Sequence, residues 1–449
     1  MTLRASTFAL LLYACTGAAF AQQPETPAVR RLTLREAVDL ALAHNHAIRL
    51  ARLSVDEKER AKDVARSGYF PSVRNDTNLL HVSDTQLIEL PAGGLGIVDA
   101  IPIPARTLII NQGGVSTVTN GTGVVQPLTQ LLRVKANNDV ARADAAAARG
   151  KARNIEDDTT LLVHQIYYRI LIADVRRRAV LARIEATDDV QRERIQQVRY
   201  GSALEADLIE SRAQALQAKQ ELLTTELQLS DLQTQLNDVI GLPLTTVLEL
   251  DPNVSASADR CERDACVRVA LDSHPEIAEA RALVERAESA VRLAKHELIP
   301  DVDAFVRYSF QKNVPFLADH FATVGIRASY DVFDGGRKRA VIRERETQLA
   351  QAKENLARIS DRVEVRVHTA YNKWERTSQM IAVSEELLAL RGETRRVAAE
   401  LLAHGGALGS QAKESAAQEL EAQAALLQSQ LDYMQAADEM DAAIGRRPR

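Results

Sequence analysis

The spacing of apolar residues switches from a helical period to a period of two and back, and it does so twice along the chain. Thr33 followed three residues later by Glu36 is a capping-box signature that predicts a short first helix, and residues 47–68 continue as a second. From about Thr129 to Tyr200 there is no proline, alanine is abundant and charges are evenly scattered. Such a stretch predicts a rod of ~105 Å at 1.5 Å per residue, longer than a globular core needs. Gly201 supplies a turn, and the returning stretch, 203–240, carries two interleaved seven-residue series. One is Leu208, Ala215, Leu222, Leu229, Leu236; the other is Leu204, Ser211, Ala218, Thr225, Leu232, Val239. That is coiled-coil spacing. Leu216 and Leu223 lie beside these seams and widen the apolar face, as expected of a helix with more than one neighbour.

The strand-like stretches alternate. Val302, Ala304, Val306, Tyr308 and Phe310 fall on one side, with Asp303, Arg307, Ser309 and Gln311 opposite; Ala322, Val324, Ile326, Ala328, Tyr330 and Val332 oppose Thr323, Arg327, Ser329 and Asp331. A sheet with one apolar and one polar face has this pattern. Phe305, Tyr308, Phe310, Phe316, Phe321, Tyr330 and Phe333 crowd the same region, as an interfacial girdle around a membrane barrel requires. A soluble hairpin packed on a helix is the alternative, but the neighbouring helices commit their apolar faces to the coiled coil. The first-half strands, about 72–88 and 107–126, alternate less clearly, and Asn120-Gly-Thr-Gly loosens the second.

The two passes are a tandem duplication. At an offset of 229, Ala41–Ile48 meets Ala270–Ile277, Pro71 meets Pro300 and Val73 meets Val302. At an offset of 204, His164 meets His368, Gly201 meets Gly405, Ser211 meets Ser415 and Gly241 meets Gly445. The offsets differ by 229 − 204 = 25, so the first half carries 25 extra residues, placed by Gly and Pro content in a long loop at 89–114. The second-half series Leu408, Ser415, Ala422, Ser429, Ala436, Ala443 is built of smaller residues, which suits either close helix approach or a solvated alanine-rich face. The predicted fold is mainly α with a small β part. Residues 22–250 form one repeat, with a helical hairpin over 129–240; residues 251–449 form the other, with strands at about 301–313 and 320–333 and a hairpin over 336–445. Pro71 and Pro300 mark the helix-to-strand junctions, because proline cannot continue the helical ladder.

The N-terminal 21 residues carry an early Arg4, an apolar stretch and the small-x-small ending Ala19-Phe20-Ala21, the pattern of a secretory signal. Leu12-Tyr13-Ala14-Cys15 also reads as a lipoprotein cleavage site, although bulky Tyr13 fits poorly beside the cut. No later run offers the roughly 20 apolar residues of a membrane helix, so any spanning structure is made of strands. Four strands cannot close a barrel, and an open edge in lipid leaves backbone groups unpaired, so other copies of the chain must complete the sheet. A net charge of −5 with mixed signs gives no footprint for nucleic acid. In an exported chain Cys261 and Cys266 are expected to pair as a local disulfide, two free thiols being the alternative. No Walker loop, dinucleotide fingerprint or zinc-hydrolase pattern is present, and no cofactor is expected. His44-x-His46 reads as a solvated pair, His164 and His368 as helix-packing or polar seam positions, and Phe333-Asp-Gly-Gly-Arg-Lys as a strand-to-helix turn.

Taken in order, Leu32-Thr-Leu-Arg-Glu-Ala-Val-Asp-Leu-Ala-Leu, Tyr69-Phe-Pro-Ser-Val, Val124-Val-Gln-Pro-Leu, Phe333-Asp-Gly-Gly-Arg and Gly201-x5-Asp207 resemble the TolC-like outer membrane factor family over about residues 32–445. The resemblance implies a homotrimer with a twelve-stranded barrel in the outer membrane of a Gram-negative bacterium and a long helical barrel in the periplasm. It further implies an exit duct for a tripartite efflux pump or type I secretion system, docked on a periplasmic adaptor and an inner-membrane transporter. The turns at Gly201 and Gly405 would lie at the periplasmic mouth, where the family's tip carboxylate maps to Asp207. The aromatic and arginine partners of the second hairpin are replaced by Leu402 and Ala407, and its pair of pore-facing acids is reduced to Gln411 and Glu414. From the residues alone, Glu205, Asp207 and Glu210 are acids in the first turns of a helix, where its dipole favours them. Repeated around a threefold axis they would form a ring that favours cations. A soluble periplasmic coiled-coil adaptor or scaffold is the rival reading, and an exported enzyme with a helical insertion a third.

Overall fold

The computed structural model describes residues 30–81, 83, 87–111, 116–254, 261–312, 314, 318–406 and 409–448. The expected signal segment with Cys15, and Phe316, Ala407 and Leu408, lie outside the described residues. In chain order the elements are β1 (Arg30–Leu32), α1 (Leu34–His44), α2 (His46–Ser67), β2 (Ser72–His81), β3 (Leu87–Leu90), β4 (Ile97–Val98), β5 (Ile101–Pro102), β6 (Leu108–Asn111), β7 (Ser116–Pro127), α3 (Leu131–Arg199) and α4 (Glu205–Ile240). The second half follows with β8 (Leu248–Leu250), α5 (Arg263–Ser273), α6 (Pro275–His296), β9 (Asp301–Lys312), β10 (His320–Ser329), α7 (Arg337–Ala403) and α8 (Gly409–Ala443).

Local chemistry sets the boundaries. Thr33 caps α1 as a full box: its hydroxyl accepts from Glu36 N, and the Glu36 carboxylate accepts from Thr33 N at 2.9 Å. That bond holds the Glu36 carboxyl below the usual carboxylate range. Asn45 breaks α1 from α2 and caps the latter, its side chain accepting from Ala47 N and Ile48 N; His44 and His46 on either side are exposed. His274 does the same between α5 and α6, accepting from Glu276 N with Pro275 at the first helical position.

The helix-to-strand junctions are built alike. Pro71 lacks the N–H that would bond Ser67, the last residue of α2, and Pro300 lacks the one that would bond His296, the last of α6. The chain instead tightens through three successive i→i+3 bonds, from Gly68, Tyr69 and Phe70 in one half and from Glu297, Leu298 and Ile299 in the other. The strand then begins on the residue after each proline.

β10, β9, β7 and β2 form one four-stranded sheet in that order, antiparallel throughout. Val324 pairs with Val306, Ile326 with Ala304 and Ala328 with Val302, so the apolar side chains share one face. Arg327 and Asp303 pair on the opposite face, 3.5 Å apart. Across the sheet the apolar face continues through Val124, Val73 and Leu79 but is interrupted by Asn75, Thr77, Asn120 and Thr122. These four satisfy one another: Asn75 Nδ2 donates to Thr122 Oγ1 at 2.7 Å and Asn120 Nδ2 to Thr77 Oγ1 at 2.6 Å. Mutual bonding lets polar groups sit on a nonpolar face, and it explains the weak alternation of the first-half strands. The aromatic girdle needs correction. Tyr308 and Phe310 lie on the apolar face, whereas Phe305 and Phe321, at odd register positions, lie on the polar one, with the Arg327 guanidinium 5.9 Å from the Phe305 ring centre.

Within the predicted long loop, residues 87–111 form a two-tier extension, with β3 pairing β6 and β4 pairing β5. Midway along the rods lie two cores, the first of which also takes in Leu431 of α8. Val163, Tyr167, Ile170 and Leu236 pack with Ala37 and Ala41 of α1; Val363, Val367, Met440 and Ile444 pack with Ala270 and Cys266 of α5. Cys266 is bonded to Cys261 as a disulfide, the Cα atoms 5.8 Å apart. β1 and β8 pair in parallel, and the Tyr167 hydroxyl lies 3.0 Å from Leu32 O and 2.9 Å from Asp251 O, tying the start of the described chain to the linker between halves.

Candidate functional site

Three features compose the site: two helical tips, the wall that joins them, and the sheet. At the first tip α3 ends at Arg199, Gly201 turns the chain at φ 71, and α4 starts beyond Leu204. The Asp207 carboxylate accepts from Leu204 N at 3.1 Å, so it caps its own helix. Glu210 accepts from Gln214 at 3.0 Å, and Glu205 is exposed beside it. At the second tip α7 ends at Ala403, and Gly405 turns at φ 72. Gln411 and Glu414 sit in the first turns of α8, Glu414 accepting from Gln418 at 3.5 Å. Tyr200 and Leu204 crown the first tip, both largely exposed.

Sequence reasoning missed what joins the tips. Lys413 of α8 pairs with Asp189 of α3, and its hydrogen bond holds the Asp189 carboxyl below the usual range. Lys413 also lies 3.8 Å from Glu185, and Arg183 bridges Glu221 of α4 at 3.6 Å and Glu421 of α8 at 3.9 Å. Lys219 reaches Asp188 across the first hairpin at 3.3 Å. Charged residues on long helices read as solvated faces; only juxtaposition across hairpins and between halves makes them links.

The wall is a seam of small side chains. Ser211, Ala215, Ala218 and Thr225 of α4 are buried, and so are Ser415, Ala422, Ser429, Ala436 and Ala443 of α8. Close approach, rather than solvation, is therefore the use of the second-half series, with the Ser384 and Ser429 hydroxyls 2.8 Å apart across it. Higher up, α3 meets α8 through a buried cluster: His164 Nδ1 lies 2.7 Å from Asp438 Oδ2, and the Tyr168 hydroxyl donates to the same oxygen at 2.8 Å. Burial, and then the Asp438 charge, push the Tyr168 phenol up; burial pushes Tyr167 up to about 12. His368, the repeat partner of His164, is half-exposed, 3.9 Å from Glu364.

The sheet puts Val73, Leu79, Val306, Val324 and Ile326 in the open on one side and Asp303, Arg307 and Arg327 on the other. A strand pair with one apolar face and one charged face is suited to separating lipid from water. Among the described residues no helix is long and apolar enough to cross a membrane.

The profile of the outer membrane efflux protein family matches residues 37–242 and 266–446, nearly the whole of both halves. The chain belongs to that family. As an outer membrane efflux protein it is a channel of the TolC-like kind, placed in the outer membrane with its helices extending into the periplasm, and the rival of a soluble adaptor falls away. Solved structures carry the same fold. CusC superposes with a TM-score of 0.74 at 15% identity, over 92% of each chain. The CmeC outer membrane channel of Campylobacter jejuni gives 0.72 at 13% identity, over 92% of this chain and 85% of that one. The MtrE outer membrane channel of Neisseria gonorrhoeae, solved in its open state, gives 0.71 at 14%, over 92% and 89%. No curated protein matches the chain significantly in sequence.

Proposed function

We propose that three copies of this outer membrane efflux protein enclose one duct, and that the duct passively conducts substrate delivered by an inner-membrane transporter through a periplasmic adaptor, as in a tripartite efflux pump or type I secretion system. The observation that carries the reading is a mismatch of burial between equivalent positions. Within the chain, α3 of the first half packs against α6 and α8 of the second. Ala179 and Ala186 are thereby 7% and 5% exposed, while their equivalents on α7, Val383 and Leu390, are 68% and 60% exposed. The partners show the reverse inequality. Leu431 of α8 and Ala282 of α6 are 2% and 6% exposed, against 63% for Leu227 of α4 and 62% for Leu53 of α2. The second-half rod thus lacks the partner that its twin has, and the first-half α2 and α4 lack the rod that would cover them. A second copy supplies both at once.

The sheet supports the same closure. β2 and β10 are its unpaired edges, and β10 returns toward the helices while β2 leaves them. Joined between copies they continue the antiparallel ladder, and three copies give twelve strands, enough for an aqueous lumen. Outer-membrane lipid then covers the apolar face. The tips at Gly201 and Gly405 are the surface offered to the adaptor, and Glu205, Asp207, Glu210, Gln411 and Glu414 line the periplasmic mouth, where threefold repetition of carboxylates favours cations.

Detergent-extracted protein should have the mass of three chains and conduct in planar bilayers; a silent monomer sinks the reading. Asp207→Ala and Glu414→Ala should each weaken cation selectivity in single-channel recordings, and unchanged ion preference in both removes the carboxylate ring. Photo-crosslinking from Tyr200 and His404 should capture an adaptor.

A further inference from the structure

The two-tier extension on the first half is the feature that neither the duplication nor the duct explains. Ile88, Leu95, Ile97, Val98, Ile101, Ile103, Leu108 and Ile109 are each at least 40% exposed. Over residues 87–111 the only charges are Glu89, Asp99 and Arg106. We propose that this hairpin docks against its counterparts on other copies of the chain and narrows the outer mouth of the duct. The proposal rests on the trimeric reading above.

Three observations choose a second copy over lipid as the occupant. Successive residues of a strand point to opposite faces, yet Ile97 and Val98 are both exposed, as are Leu108 and Ile109. The hairpin is therefore apolar on both sides, unlike β9 and β10, whose faces divide into apolar and charged. One-sided apolarity marks a lipid-facing strand; two-sided apolarity marks a strand covered on both faces. Next, residues 87–111 contain no Phe, Tyr or Trp, the residues that suit a strand to the headgroup level. Finally, β3 follows β2, an unpaired edge of the sheet that the β10 of a neighbouring copy would meet. The hairpin thus grows from the line where two copies join, on the side away from the helices. Three such bodies at one rim would cover their apolar faces by meeting one another.

The test uses the full-length protein in native outer membranes. In Val98→Cys, a short bismaleimide should link copies into covalent dimers, since Cys261 and Cys266 are bonded to each other and do not react. Replacing residues 92–103 by two glycines should raise single-channel conductance about two-fold while the protein still runs as three copies. Intact trimers with no Val98→Cys dimers and unaltered conductance overturn the hairpin proposal and leave the duct standing. Labelling of Val98→Cys by a lipid-phase probe, again without dimers, assigns the hairpin to lipid and also overturns it. A wild-type mass of one chain overturns the duct and the hairpin together.

Discussion

The long rods of the two halves, α3 and α7, have nearly equal length and related sequences, yet nineteen residues of the first are buried and only four of the second. Both carry the same kind of pattern: scattered charge, abundant alanine and no proline. What differs is the company each keeps within one chain, since α3 has α6 and α8 of the second half folded against it, whereas α7 packs only with α5, α6 and α8 of its own half. Burial here measures assembly as much as sequence. On the proposed assembly, the exposed Leu390 at the position equivalent to buried Ala186 is the place a second copy would cover.

The sharpest way to break this comparison is to charge the uncovered side. Leu390→Asp combined with Leu227→Asp should dissociate the trimer, because each aspartate would be buried without a partner at a cost of several kcal/mol; native mass spectrometry of the extracted protein reads the outcome. Trimers that persist with both changes would mean the equivalence of the two seams is wrong.

A smaller effect tests what the halves share. Gly241 and Gly445 end the return helices at φ 73 and 77, and a Cβ on either would lie 2.7 Å from His44 Cβ or 2.8 Å from His274 Cα. Each alanine substitution should therefore destabilise by more than about 1 kcal/mol. Gly445→Ala should be the worse, because its obstacle is backbone. Thermal unfolding of the two variants compares them directly.

Smaller again is the alkaline response expected from Tyr167 and Tyr168 of the first half. Tyr167 and Tyr168 have raised pKa values in the folded chain, so on unfolding above the ordinary tyrosine value of about 10 they release protons. Stability is then fully present below that pH and falls as pH climbs through the folded values. Tyr168→Phe should flatten the fall in melting temperature between pH 9 and 12. The least effect on stability is expected at the tips: Lys413→Ala removes an ion pair whose lysine is half-exposed and should leave the melting temperature almost unchanged, yet loosen the hairpins enough to raise conductance.

Much of the fold was legible because the determinants are local. The capping box at Thr33, the turn glycines, the prolines at the junctions and the seven-residue series each act within a few residues. Pairing across hundreds of residues was not. His164 could be marked as a helix-packing position, but Asp438, 274 residues on, could not be assigned to it. The parallel pairing of β1 with β8 left no trace, because three-residue strands have no measurable period. Phe305 and Phe321 misled because aromatic density was counted without regard to which face each residue takes. The tip acids illustrate a different limit. Glu205 and Asp207 look alike in sequence, but only Asp207 closes back on the backbone at Leu204.

The unequal side-chain sizes at equivalent rod positions also act as a key. Alanines at 179 and 186 leave room for one kind of neighbour, and valine and leucine at 383 and 390 demand another. In the proposed ring, first half and second half would therefore alternate, and the reading order of the wall would be written into it before any partner arrives.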